Sequence, residues 1–137
     1  MDQFKQLDEM LTSAIPDDGW GDDGVLLAAR VLQAFGPDDW SKLASTWSDR
    51  PELWQCLAAD VLVDGDNERA IPLLVEIIRR GSGQAKIAAC DSLRTLLQGR
   101  DKPLEVDPVI KLIINSLRKE SSGLIAQSLG QLEGLVS

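Results

Sequence analysis

Histidine is absent from this 137-residue chain, and cysteine occurs only at Cys56 and Cys90. Without imidazole, every catalytic triad or metal cluster that depends on it is excluded. Both cysteines fall inside helical patterns with no metal-ligand spacing, and neither stands on a loop or at a helix start, where a thiolate is favoured. They are expected as reduced thiols in or near the core. Long apolar runs are also missing. None approaches the roughly 20 residues a membrane-spanning helix needs, and residues 1–6 lack the basic start and apolar segment of a secretory signal. The expectation is a cytosolic protein that does not engage a membrane.

Phosphate-cradling loops are lacking too, since Gly81-Ser82-Gly83 has neither the length nor the lysine such a loop requires. Asp64, Asp66 and Glu68 begin a calcium-loop pattern, but Arg69 stands where glycine is required and Val75 where a bidentate glutamate is required. No metal, no cofactor and no enzymatic activity are expected.

What the chain has is helical periodicity. Apolar residues make up 44% of the sequence, enough for one domain over residues 1–137 with a substantial core. Residues 66–97 carry the clearest pattern. Ala70, Ile71, Leu73, Leu74, Ile77 and Ile78 recur at three- and four-residue steps, and after Gly81-Ser82-Gly83 a second stripe follows with Ala85, Ala88, Ala89, Leu93, Leu96 and Leu97. Before this pair, helices are predicted from residue 2 to about residue 14, from Asp22 or Asp23 to Phe35, from Asp38-Asp39 through Trp47, and from Pro51, as first helical residue, to about Asp64, the last with Leu53, Trp54, Leu57, Ala58, Val61 and Leu62 as its apolar residues. After it, a connection over residues 99–108 leads to a helix with Val109, Leu112, Ile113 and Leu117. A last helix carries Leu124, Ile125, Leu129, Leu132 and Val136. No strand is expected.

Eight helices group as four hairpins. Aligning the second helix of each pair on an apolar i, i+4 step superposes Ala28/Leu32, Ala58/Leu62, Ala89/Leu93 and Ile125/Leu129, at intervals of 30, 31 and 36 residues. Paired helices at about this period mark an α-solenoid. The fold class is therefore all-α, a solenoid of about four helical hairpins. Asn67-Glu68-Arg69-Ala70-Ile71-Pro72-Leu73-Leu74 and Gln84-Ala85-Lys86-Ile87-Ala88-Ala89-Cys90-Asp91-Ser92-Leu93 resemble the first and second helices of HEAT-like and armadillo-like repeats, down to a proline inside the first. The resemblance covers about half the chain well and implies a fold, with no activity attached. In size, charge and build the chain is also similar to HEAT-like bacterial immunity proteins, which bind and block a toxin made by the same cell.

Charge supplies the functional expectation. Residues 1–68 hold fifteen acids and four bases, whereas residues 69–137 hold seven acids and ten bases. Such one-sidedness points to an acidic interaction surface and repels nucleic-acid phosphates. The candidate partner-binding residues are Asp17, Asp18, Asp22, Asp23, Asp38, Asp39, Asp49, Asp60 and Asp91, with Trp20 as an aromatic anchor between acidic pairs. Asp60 lies about 200° round its helix from Ala58 and so faces outward, as Asp91 does one repeat later, with Arg30 and Gln127 completing the row. Trp40, Trp47 and Trp54 match the apolar stripes and are assigned to the core. The expected partner is a basic protein, in the specific form a cognate toxin such as a nuclease, bound by a monomer without direct nucleic-acid contact. A general adaptor with a basic partner is the alternative.

Overall fold

The computed structural model describes residues 2–13 and 21–137, with the side chains of residues 21–23 outside the description. Among the described residues, eight α-helices follow one another: α1 (Gln3–Ser13), α2 (Gly21–Gln33), α3 (Pro37–Thr46), α4 (Glu52–Leu62), α5 (Asn67–Arg80), α6 (Gly83–Leu97), α7 (Pro108–Glu120) and α8 (Gly123–Glu133). A 3₁₀ turn over Trp47–Asp49 extends α3.

Local chemistry accounts for most of the boundaries. Asp66, Ser82 and Asp107 cap α5, α6 and α7, each side chain accepting a backbone N–H of the first turn. Pro51 turns out to be the cap of α4 rather than its first residue, in extended conformation (ψ 159°). Pro72 sits inside α5, six residues into the helix. There it removes one intrahelical donor in the turn that follows the N-terminal orphans. Arg79 and Arg80 close α5 where the helix dipole favours cations.

Tertiary packing arranges the helices as hairpins in two rows. The even-numbered helices stack in sequence, α2 on α4, α4 on α6 and α6 on α8. The odd-numbered helices cover them, with α1 against α2 and α3, α5 against α6 and α7, and α7 against α8. One apolar core runs through the stack, from Phe4, Leu7 and Leu11 through Trp40, Trp47 and Trp54 to Ile114, Leu129 and Leu132. Gly65 permits a close approach between pairs, since a Cβ there would meet Leu32 at 2.9 Å and Trp40 at 3.1 Å. Between α6 and α4, the buried Ser92 hydroxyl donates to the Ala59 carbonyl at 2.7 Å.

The register holds for three repeats and loosens in the fourth. Ala28, Ala58 and Ala89 are buried together with Leu32, Leu62 and Leu93, and Leu129 joins them, but Ile125 is exposed. At the position of the buried Ala58 and Ala89, Ile125 is a larger side chain that borders a surface groove between α6 and α8 and so stays in water. Leu53 and Leu124, expected in apolar stripes, are exposed as well. In α7 the buried positions are Ile110 and Ile114, while Val109 and Leu112 face solvent. The stripe is rotated by about one residue because α7 must meet α5 and α8 together. Val136 lies beyond α8 and forms an isolated parallel bridge with Leu104, tying the connection after α6 to the end of the chain.

Candidate functional site

A groove of about 460 Å³ crosses α4, α6 and α8, lined by Cys56 and Asp60, by Gln84, Ile87, Ala88 and Asp91, and by Leu124, Ile125, Ser128 and Leu129. Each helix contributes consecutive turns of its outward face. The repeat register explains why: Cys56 and Ile87 occupy equivalent positions, as do Asp60 and Asp91, and Ala88 and Leu124. Carried back to α2, the same positions hold Leu26, Leu27 and Arg30, and Leu53 is the α4 equivalent of Gln84. Leu26 is 60% exposed, Leu27 53% and Leu124 83%. Of the seven large apolar side chains exposed among the described residues, five (Leu26, Leu27, Leu53, Leu124 and Ile125) belong to this face. Exposed apolar area gathered on one face marks an interaction surface.

The two groove carboxylates are not equivalent. Asp91 Oδ1 accepts from Arg94 Nη2 at 2.8 Å and from the Ser128 hydroxyl at 3.3 Å, while Arg94 Nε donates to Ser128 Oγ at 2.8 Å. This triangle ties α6 to α8 and gives Asp91 a cation and a hydroxyl as partners. Asp60 has no such support. Water reaches it from the open side, yet the groove wall partly desolvates its carboxylate. That burial, reinforced by the negative charge of Asp91, pushes its pKa up from 3.8 to about 6. The Cys56 thiol one turn earlier is pushed up by burial and then by Glu52 and Asp60; Cys90 is pushed up to about 12, chiefly by burial. Both sulfurs are free thiols of low reactivity.

An acid whose pKa rises on folding opposes the folded state once ionised. Its stability contribution is full below about 3.8, the unfolded value, and is lost as pH rises through about 6. Asp60→Asn is therefore expected to raise stability at pH 7 by roughly 1 kcal/mol, after allowance for screening at the open side. The gain should vanish near pH 4. Urea unfolding of both proteins at the two pH values checks this; a variant less stable at pH 7 contradicts it.

The remaining candidate acids are dispersed. Asp38 is exposed in the first turn of α3 and Asp49 is exposed in the 3₁₀ turn. Asp39 has structural work: Oδ1 accepts from the Phe4 N–H at 3.0 Å and Oδ2 from the Gly36 N–H at 2.9 Å, joining the starts of α1 and α3. Asp17, Asp18 and Trp20 lie outside the described residues, as do the side chains of Asp22 and Asp23, whose backbone opens α2. Among the candidates, the structure brings together Asp60 and Asp91. Trp40, Trp47 and Trp54 are buried as expected. The apolar strip beside the carboxylates escaped the sequence reading, which placed Leu53, Leu124 and Ile125 in the core. For Leu26, Leu27 and Leu124 the signal lay in the same repeat alignment, two and one positions before Ala28 and one before Ile125.

Among the described residues, no group of three or more His, Cys, Asp or Glu side chains is placed to hold a metal ion, and no helix is long and apolar enough to cross a membrane. The chain was compared with protein-family models, with curated proteins and with solved structures. None matches.

Proposed function

We propose that this protein is a binding module that captures a basic protein, in the specific form an immunity protein neutralising a cationic toxin such as a nuclease. The observation that carries the reading is the pairing of Asp60 and Asp91 in a groove whose apolar lining is open to solvent. The excess of acids over bases in residues 1–68 supports it, because a strongly negative surface accelerates encounter with a cationic partner. Neutralisation would be steric, with carboxylates occupying sites on the toxin that otherwise meet nucleic-acid phosphates. An adaptor for a basic partner would use the same face.

Affinity capture from the source cells, followed by titration of the captured partner, tests the proposal. The expected partner is basic, and its Kd weakens by at least tenfold when salt is raised from about 0.05 to 0.5 M. Co-expression should restore growth to cells that the partner alone poisons; a harmless basic partner would favour the adaptor. An acidic partner, or a complex indifferent to salt, defeats both forms.

A further inference from the structure

We propose that Asp60 is the docking point for one cationic side chain, and that the apolar strip beside it receives the aliphatic or aromatic neighbours of that cation. The ligand is then a mostly apolar segment with an isolated positive charge, not a polybasic stretch. This inference rests on the reading of the protein as a binder of basic proteins and specifies what enters the groove.

The asymmetry of the two carboxylates leads to it. Asp91 already has a cation in Arg94 and a hydroxyl donor in Ser128. Among the described residues, no hydrogen-bond donor or cation contributes at Asp60, where burial and Asp91 act together to disfavour its charge. Among the described residues, the titratable groups that line the groove with it are Cys56 on its own helix and Asp91, with its bound Arg94, on α6. Glu52 and Asp64 stand on the same stretch of chain, the exposed Arg30 holds the equivalent position of α2, and α8 supplies Ser128, Leu124 and Ile125 without charge. A single guanidinium or ammonium group placed at Asp60, which is exposed along the open side of the groove, would give its carboxylate the charge-assisted donor that Asp91 already has.

The lining sets the limit on charge. Ile87, Ala88, Leu124 and Ile125 offer no acceptor, so further cations laid along them would lose water without gaining a partner. Apolar side chains gain by covering the same residues. Three helices spaced at about 9 Å give a groove of roughly 20 Å, which suits about five or six residues of extended peptide.

The probe is a capped pentapeptide, Leu-Leu-Arg-Leu-Trp, compared with its analogue carrying neutral citrulline in place of arginine and with capped penta-arginine. Binding to the full chain is followed by fluorescence anisotropy and by amide NMR at about pH 7.5. The arginine peptide is expected to bind about tenfold more tightly than either competitor, with shifts centred on residues 56–60, 84–91 and 124–128. Asp60→Asn should erase the preference for arginine over citrulline, and Asp91→Asn should leave most of it. Near pH 5, where Asp60 is mostly protonated, the preference should shrink in the wild type. Equal affinity for the citrulline peptide overturns the proposal, as does an Asp60→Asn protein that keeps the preference or the absence of any shift in the groove. Tightest binding by penta-arginine, with shifts elsewhere, also overturns it while leaving the broader acidic-surface reading standing. That broader reading fails separately, on a salt-indifferent complex with the captured partner. The wild-type comparison of arginine with citrulline needs no variant, so a folding defect cannot decide the outcome.

Discussion

Trp54→Ala is expected to lower the unfolding free energy by about 4 kcal/mol, a large share of the total for a domain of this size. Trp54 is 1% exposed and lies in the core where α1 and α4 meet. Its removal leaves a cavity into which the surrounding core relaxes only in part. It also removes the indole N–H that donates to Asp8 Oδ1 at 3.0 Å, and the ring over which the Arg50 guanidinium sits at 5.7 Å. Trp54→Phe separates these contributions, keeping most of the volume and losing the donor, at an expected cost of about 1 kcal/mol. Urea unfolding followed by circular dichroism measures both. A loss below about 2 kcal/mol for the alanine variant would mean that the core collapses around the site, contrary to the tight packing described.

The second large effect is expected at Asp8. Its Oδ1 accepts from Trp54 and from Arg50 Nε at 3.0 Å each, and its Oδ2 accepts from Arg50 Nη2 at 2.6 Å. One carboxylate thus joins α1, the turn before α4 and the start of α4. Asp8→Ala leaves a part-buried guanidinium and a buried indole N–H without their acceptor, and should cost about 2–3 kcal/mol. An exposed ion pair would be worth well under 1 kcal/mol; the bidentate geometry and the third bond to Trp54 set this one apart. Arg50→Met combined with Asp8→Ala should cost less than the sum of the single changes, since each single change strands a group that the double change removes. Strict additivity would show that the network contributes only as separate contacts.

These two expectations concern the platform, whereas the groove concerns its use, and the two regions were not equally legible. Helix order, the hairpin grouping, the burial of Trp40, Trp47 and Trp54, and the outward placement of Asp60 and Asp91 follow from periodicities of three, four and about thirty residues. Asp8 gave no such sign. It is one acid among fifteen in residues 1–68, and its partners lie 42 and 46 residues away. Asp39 looked like an ordinary acid at a helix start, and its capping of Gly36 fits that place. Its bond to the Phe4 N–H, 35 residues distant, depends on how α1 lies against α3.

Sequence by itself determined that this chain forms amphipathic helices in pairs, and which residue of each repeat stands where, because helical geometry converts spacing directly into direction. It also determined the excess of acid in the first half. Tertiary structure alone decided which apolar side chains stay in water and which carboxylate stays without a partner. A helix face is buried or open according to the neighbours that reach it, and the face of α8 that carries Ile125 borders the open groove. Ile125 therefore carries the position of a core residue and the exposure of a surface one, and Asp60 and Asp91 share a register while only Asp91 has a cation.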